Sequence, residues 1–141
     1  MINKDLIFLI NMAKVQSVVA RRFDALSVHG IGFSDFMILY LLNTAPEHKM
    51  RRIDLADKIG LTASGVTRLL APMEKIGLVG REANQRDARV SYVVITANGE
   101  KIFEEAKVTA EIIAKEILPA KKGKSLRMML ELLADLGGNI Q

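Results

Sequence analysis

The chain has 141 residues, half of them hydrophobic, with a net charge of +4 and a sequence pI near 9.5. This length suits one domain or a small domain with added helices, and the excess of positive charge favours an anionic partner. The absence of cysteine excludes disulfides, thiolate metal sites and thiol redox sensing, while polar residues interrupt the apolar N-terminal segment and exclude a membrane span.

The N-terminal segment, residues 2–28, carries apolar residues at helical spacing and predicts a helix. Its apolar stripe is wider than one face, so the helix needs two neighbours to cover it, its own domain and a second subunit. Gly30 and Gly32 end the helix. No small-residue cleavage site follows the apolar run, so the segment does not match a signal peptide and we expect a cytoplasmic protein.

A second helix is predicted over residues 34–43. Ser34 is placed to cap it, and Asp35 lies in the first turn, where the helix dipole favours a negative charge. Pro46 then marks a loop that leads into the next helical pattern.

Residues 52–78 have the pattern of a helix-turn-helix. A short helix over 52–59 is closed by Gly60, which readily adopts a left-handed conformation, and Thr62 is placed to cap the next helix. Two helices joined by a tight turn that contains glycine are typical of this motif. The second helix has an apolar stripe at i, i+3, i+4 and i+7, formed by Val66, Leu69, Leu70 and Met73.

The opposite face of this second helix is short, polar and cationic, formed by Ser64, Thr67, Arg68, Ala71 and Lys75. Such a face fits the major groove of B-form DNA, where the first turns reach base edges and the N-terminal amides favour phosphate. The alternative is an ordinary amphipathic surface helix. Because a proline inside a helix costs about 3 kcal/mol, we expect a bend near Pro72 or compensating packing of Met73.

Two extended runs, residues 78–82 and 90–96, follow the helices and predict a β-hairpin. The second run is rich in β-branched residues, and the loop between the two is polar, with no apolar residue larger than alanine. Helix, turn, helix and hairpin in this order make a winged helix-turn-helix. The tip of the wing offers Arg86 and Arg89 to a phosphate backbone or a minor groove.

These segments resemble the MarR family of transcriptional regulators. The resemblance runs through RRIDLADKIGLTASGVTRLLAPMEKIGLVGRE, continues in the wing at RDAR, residues 86–89, and closes with ITANG, residues 95–99, where Ile95 replaces the leucine of the family pattern. The wing is the specific part, since a helix-turn-helix alone is a weak signal. The resemblance covers nearly the whole chain and implies duplex DNA as partner, dimerisation through the terminal helices and insertion of Arg86 into a minor groove.

The predicted DNA-binding residues lie on the two helices and the wing: Arg51, Arg52, Thr62, Ser64, Gly65, Thr67, Arg68, Arg86, Asp87 and Arg89. A cation at the start of a helix opposes the helix dipole, so Arg51 and Arg52 fit phosphate contact better than helix stabilisation. Thr67 has the alternative of a hydrogen bond to its own helix. Asp87 and Arg89 have the alternative of an ion pair that braces the hairpin.

The C-terminal region predicts two further helices, over residues 97–118 and 125–136, separated by Pro119 and a KKGK loop at 121–124, with Thr96 as the cap of the first. Both helices have apolar faces and carry no candidate catalytic groups, which indicates that they serve dimerisation. We therefore predict a mainly α fold with a small β-hairpin wing (α+β). Residues 1–30 and 98–141 form the helical dimerisation region, and residues 31–97 form the winged helix-turn-helix DNA-binding domain.

The resemblance also implies a small-molecule pocket between the dimerisation helices and the winged helix. On this chain it would involve His29, Phe33, Phe36, Met37 and Tyr40. The alternative is that these residues fill irregular gaps in the core. A bound effector would shift the population between dimers whose recognition helices match the half-site spacing and dimers whose helices do not.

The sequence carries no pattern of catalysis or metal binding. His29 and His48 lie in different segments without an acid cluster, and no Ser-His-Asp arrangement, phosphate-cradling glycine loop or pair of carboxylates is evident. We predict no enzyme, metal or cofactor. The predicted function is a homodimeric repressor that binds a pseudo-palindromic operator and is released by a small-molecule effector. The alternative is a winged-helix protein interaction module whose cationic face meets an acidic partner.

Overall fold

The computed structural model describes residues 1–118 and 123–141. Its elements, in chain order, are α1 (Lys4–Arg22), α2 (Phe33–Thr44), β1 (Lys49–Arg51), α3 (Arg52–Ile59), α4 (Ala63–Lys75), β2 (Val79–Ala83), β3 (Ser91–Ile95), α5 (Ala97–Ile117) and α6 (Gly123–Asp135). The predicted fold class, a mainly helical chain with a small β wing, is confirmed.

The first predicted helix is shorter than residues 2–28. Asn3 caps α1 by accepting the Leu6 N–H at 2.8 Å, and after Arg22 the chain tightens into a 3₁₀ segment, Phe23–His29, that buries Phe23. No residue of α1 is buried. Among the described residues no single helix is long and hydrophobic enough to cross a bilayer. The segments Lys4–His29 and Phe33–Thr44 meet these two criteria only as a pair, and the pair is bent by 73°.

The start of α2 differs from the prediction that Ser34 caps it. Gly32 occupies the cap position and its N–H donates to the Asp35 carboxylate at 2.9 Å. Because this side chain reaches back to the cap, the helix begins one residue earlier, at Phe33. The helix then runs through the centre of the core, where Ile38, Leu39 and Leu42 are fully buried.

The sheet has three antiparallel strands in the order β1-β3-β2, whereas the sequence predicted only the hairpin β2-β3. Strand β1 has three residues, too few to show an alternating pattern. It pairs with the middle of β3, Lys49 opposite Val94. In the hairpin Val79 lies opposite Ile95 and Ala83 opposite Ser91. Strand β2 is shifted by one residue from the predicted 78–82, and β3 is one residue shorter at each end than the predicted 90–96.

The helix-turn-helix packs on the core through the predicted stripe. Val66, Leu70 and Met73 are 0%, 1% and 2% exposed, and Leu69 is half-buried. Gly60 adopts the expected left-handed conformation, with φ 74°. Helix α4 continues past Pro72 to Lys75 and Met73 is buried, which is consistent with the alternative of compensating packing.

Helix α5 begins as predicted, because the Thr96 hydroxyl accepts the Gly99 N–H at 3.0 Å. It buries Phe103 and Ile113 against the core. Helix α6 begins at Gly123, so Gly123 and Lys124 are helical and the predicted loop over 121–124 is wrong there; Pro119 and residues 121–122 lie outside the described residues. Helix α6 has no buried residue.

Candidate nucleic-acid interface

Helix α4, the second helix of the helix-turn-helix and the predicted recognition helix, starts at a well-formed cap. The Thr62 hydroxyl accepts the Gly65 N–H at 3.0 Å and lies 3.2 Å from the Ser64 hydroxyl. The other backbone N–H groups of this first turn have no partner within the helix and point outward, as at any helix start. Thr62 and Ser64 are exposed and Gly65 is half-buried, so the turn can approach an anionic surface closely.

The outward face of α4 carries Arg68 as its principal cation. Arg68 is exposed, and within the described residues its guanidinium has no hydrogen bond or ion pair. Ala71 and Lys75 are exposed on the same helix. A free guanidinium has five donors for phosphate oxygens or for the acceptors of guanine.

Thr67 and Arg52, both predicted to bind DNA, are bonded to each other. The Thr67 hydroxyl donates to the Ala63 carbonyl and accepts from Arg52 Nη1, both at 3.0 Å. The alternative considered for Thr67, a bond to its own helix, is therefore present. Arg52 Nη2 lies 3.9 Å from Glu74 Oε1, and the same oxygen accepts from Arg81 Nε at 3.0 Å.

Glu74 therefore joins three elements: α3 through Arg52, α4 to which it belongs, and β2 through Arg81. Both Glu74 and Arg81 lie within the segment that carries the family resemblance, but the sequence predicted no contact between them. The pairing of residues 74 and 81 depends on the turn at Gly77, whose φ of 80° brings the strand back along the helix.

Arg51 lies at the cap position of α3 and forms an ion pair with Asp54, Nε to Oδ2 at 3.1 Å. This hydrogen bond to Asp54 raises the pKa of Arg51. The unfavourable position of a cation at a helix start is thus offset by a carboxylate in the first turn. Arg51 remains half exposed, so the guanidinium retains donors that face solvent.

The tip of the wing is shaped by Asn84, a residue that the sequence analysis missed. Its side-chain oxygen accepts the N–H groups of Arg86 and Asp87, at 2.8 and 3.3 Å. The signal was present in the sequence, because asparagine at the start of a turn commonly bonds to the main chain two residues on. The Arg86 side chain has no partner among the described residues.

Asp87 and Arg89 form the bracing ion pair considered above. The Asp87 carboxylate accepts both the backbone N–H and Nε of Arg89, at 3.0 and 3.2 Å. The Arg89 side chain is 92% exposed, so the pair leaves most of its guanidinium open to solvent.

Three of the five predicted effector residues, Phe33, Phe36 and Tyr40, belong to an aromatic cluster. Phe33 stacks on Phe23, with ring centroids 4.0 Å apart, and Phe36 stacks on Phe103 at 5.2 Å. Tyr40 lies beside Phe103, and Met37 is half-buried. Phe36 and Tyr40 thus pack against α5, and Phe33 packs against the 3₁₀ segment.

His29 contacts helix α5, and one open cleft is lined by other residues. His29 Nε2 lies 2.7 Å from the Thr109 hydroxyl on α5. A cleft of about 540 Å³ is lined by Leu41, Met50, Lys58 and Ile140 among others, and by none of the predicted effector residues. Within the described residues no group of three His, Asp or Glu side chains is placed to hold a metal ion.

Sequence comparison places this chain among known regulators. The model of the MarR family matches residues 34–91. The uncharacterized HTH-type transcriptional regulator YdgJ of Bacillus subtilis strain 168 is 31% identical over 126 residues, which cover 89% of this chain and 74% of YdgJ.

Two solved structures share the fold. Sco3205, a MarR family transcriptional regulator from Streptomyces coelicolor crystallised in complex with DNA, has a TM-score of 0.76 and 18% identity, with 96% of this chain and 89% of that chain covered. CouR from Rhodococcus jostii RHA1, bound to p-coumaroyl-CoA, has a TM-score of 0.81 and 19% identity, with 98% and 96% covered. The arrangement of α3, α4 and the wing is thus that of these winged-helix regulators.

Proposed function

The chain belongs to the MarR family of transcriptional regulators, and we propose that it is a homodimeric repressor that binds a pseudo-palindromic operator and leaves it when a small molecule binds. The observation that carries the proposal is that two arginine side chains, Arg68 on α4 and Arg86 at the wing tip, have no hydrogen-bond or ion-pair partner within residues 1–118 and 123–141. The other arginines of this region, 51, 52, 81 and 89, all have a carboxylate or hydroxyl partner. Unpaired arginine is well suited to binding polyanions, because nothing in the protein must be displaced.

In this proposal each arginine contacts a different groove. Helix α4 enters the major groove, with Ser64 and Arg68 at base edges and the capped first turn, Thr62 to Gly65, on a phosphate. Arg86 lies in the adjacent minor groove, where narrow A·T tracts attract a guanidinium. Arg51 and Arg89 add backbone contacts. The DNA complex of Sco3205 supports this arrangement by fold alone.

The test is selection of bound fragments from a random duplex pool, followed by titration of the recovered duplex. We expect a pseudo-palindrome, and affinity that falls steeply as salt rises. Arg68→Ala and Arg86→Ala should each reduce affinity by at least about tenfold, without a change in melting temperature. Lys107→Ala, which removes an exposed charge from α5, is the matched control. Binding that depends weakly on salt, or tight binding to an acidic protein instead of duplex, would favour the interaction module.

The dimer is proposed from the apolar surface of the terminal helices, residues 1–30 and 98–141. Helix α6 exposes Met128 and Leu130 at 60% and 57%, and α1 exposes Leu9 and Ile10 at 50% and 54%. Contiguous exposed apolar side chains mark an interaction surface. Two copies joined there would place two α4 helices about one helical turn apart on the operator.

Analytical ultracentrifugation of Leu130→Glu tests the dimer. We expect a monomer, because the buried carboxylate would lack a partner. Ile53→Glu, at an apolar residue that is 64% exposed on α3, is the control and should remain dimeric. A wild-type monomer would overturn this part of the proposal.

An effector site is proposed at the aromatic cluster and His29, between α2, α5 and the 3₁₀ segment. CouR, whose structure contains p-coumaroyl-CoA, supports a ligand of aromatic character by analogy. Because Phe33, Phe36 and Tyr40 already pack on neighbouring rings, a ligand would have to displace them and so alter the angle between α2 and α5. Cinnamate and benzoate are the first probes. Binding should raise the melting temperature and release duplex, and Phe36→Ala should abolish both effects.

A further inference from the structure

The solvent face of the sheet carries a polar cluster that the DNA contacts above do not include. Lys49 on β1 lies opposite Val94, and Glu82 on β2 lies opposite Tyr92. Because side chains alternate along a strand, Tyr92 and Val94 share one face of β3 with both partners. The other face of β3, Val93 and Ile95, is buried.

The Lys49 side chain extends across this face from the edge strand β1 toward the other edge strand, β2. The Lys49 ammonium lies 2.9 Å from Glu82 Oε1, 3.2 Å from Glu47 Oε2 and 4.7 Å above the Tyr92 ring. Its side chain is 21% exposed, much less than the side chains of the two glutamates. The hydrogen bonds to Glu82 and Glu47 raise the pKa of Lys49, so the ammonium is charged at neutral pH.

The backbone before Lys49 is strained. Glu47 and His48 both have positive φ, 59° and 56°, which residues other than glycine rarely adopt. Such strain persists only where surrounding contacts hold it. The ion pair of Glu47 with Lys49 is one such contact, and it holds the Glu47 carboxylate beside the sheet.

From Tyr92 a chain of hydrogen bonds continues to the wing tip. Asn84 Nδ2 donates to the Tyr92 hydroxyl at 3.1 Å, and Asn84 Oδ1 accepts the N–H groups of Arg86 and Asp87. We name Lys49, Glu82, Tyr92 and Asn84 the wing brace. It connects the base of the sheet to the backbone of the residue that the proposed function places in the minor groove.

We propose that Lys49 is a positioning residue for DNA binding: through the wing brace it holds the tip of the wing in the conformation that presents Arg86. The inference depends on the proposed function. In the part of the chain that the structure describes, strand β1 pairs with residues 92–94 alone. The wing beyond them is a two-stranded hairpin, which is marginally stable by itself. Ordering it before binding lowers the entropy cost of the complex.

Lys49 is poorly placed to be a phosphate ligand itself. Its ammonium is shared between two carboxylates and is shielded by the Tyr92 ring, so Lys49, Glu47 and Glu82 together carry a net negative charge. A phosphate would have to displace one carboxylate. If Lys49 positions the wing, removal of the Glu82 carboxylate should weaken DNA binding. If Lys49 is a phosphate ligand, the same change should leave DNA binding unchanged or strengthen it.

The experiment is a double-mutant cycle on duplex binding, using the duplex recovered from the random pool with wild-type protein. Lys49→Met keeps the aliphatic stem and Glu82→Gln keeps the shape of the carboxylate. We expect each single variant to bind about three- to fivefold more weakly, as the loss of partly exposed ion pairs allows, one pair in Glu82→Gln and two in Lys49→Met. The double variant should bind no more weakly than Lys49→Met alone, because the interaction is already lost. The salt slope should not change, and the matched control Lys107→Met should bind like the wild type.

A second readout does not require DNA. In the Lys49→Met variant without DNA, the backbone amides of Arg86 and Asp87 should exchange hydrogen faster than in the wild type. The exchange rates of the α5 amides should not change. Unchanged exchange at these two amides would overturn the inference.

Two outcomes of the cycle would also overturn it. One is wild-type affinity in both single variants. The other is weaker binding by Lys49→Met with a salt slope reduced by about 0.9, combined with unchanged or tighter binding by Glu82→Gln, which would make Lys49 a phosphate ligand. Failure of the wild-type protein to bind any duplex would instead overturn the proposed function, and the positioning role with it.

Discussion

Gly99 packs its α-carbon against the main chain of Leu78, so closely that a Cβ at Gly99 would overlap the Leu78 carbonyl oxygen and lie 2.8 Å from Cγ1 of Ile95. The Thr96 hydroxyl bonds across the same junction, donating to the Gly77 carbonyl at 2.6 Å while it accepts the Gly99 N–H. The ITANG segment therefore joins the end of the wing and the start of α5 to the turn that follows α4.

Gly99→Ala should destabilise the protein by about 1–3 kcal/mol, since the methyl group has to push backbone rather than a flexible side chain. Urea denaturation measures the change. Gly80→Ala is the control, because a Cβ there would meet only the Val94 side chain, at an ordinary 3.6 Å. Equal stability of the two variants would contradict the close packing at Gly99.

Thr62→Ala should cost about 0.5–2 kcal/mol of stability, because the Gly65 N–H loses its acceptor at the start of α4. Thr62→Ser retains a hydroxyl in the same place and should keep most of the stability. Thermal melts of the two variants at one pH provide the measurement. If alanine proves as stable as serine, the cap does not support the helix.

Glu74→Gln should lower stability by no more than about 1 kcal/mol, as expected for a partly exposed ion-pair cluster. It should also raise affinity for duplex, because Arg52 loses the carboxylate at 3.9 Å and becomes available to phosphate. Fluorescence anisotropy against the selected duplex measures this, with Glu104→Gln on the exposed side of α5 as the charge-matched control. Weaker binding by Glu74→Gln would show that Glu74 positions α4 and that Arg52 is not a phosphate ligand.

The contribution of Lys49 to stability depends on pH, and the direction of this dependence follows from the direction of its pKa shift. Its folded-state pKa is raised above the ordinary 10.5 by hydrogen bonds to Glu82 and Glu47, so its contribution to stability is complete below the unfolded pKa and is lost as pH rises through the folded pKa. The difference in melting temperature between wild type and Lys49→Met should therefore be constant from about pH 6 to about pH 9, begin to shrink as pH passes the ordinary 10.5, and be lost above the raised pKa. A difference in melting temperature that already shrinks near neutral pH would contradict the raised pKa of Lys49.

Much of the winged helix could be predicted from local pattern. The stripe of α4, the left-handed Gly60 and the caps Thr62 and Thr96 are local features, because each depends on residues within one or two turns of helix. The failures have local causes too. Strand β1 is too short to show alternation, and because the Asp35 carboxylate accepts the Gly32 N–H, the cap of α2 is Gly32 and not Ser34.

The sequence by itself determined which residues carry charge on the recognition helix and at the wing tip, since periodicity and turn composition depend only on neighbours along the chain. Only the tertiary structure decided which of those charges are free. Arg52 meets Thr67 fifteen positions away and Lys49 meets Glu82 thirty-three positions away, and such contacts arise from the packing of α3 on α4 and from the sheet register. Arg68 and Arg86 are free for the same reason: the fold brings no acceptor to their guanidinium groups within the described residues.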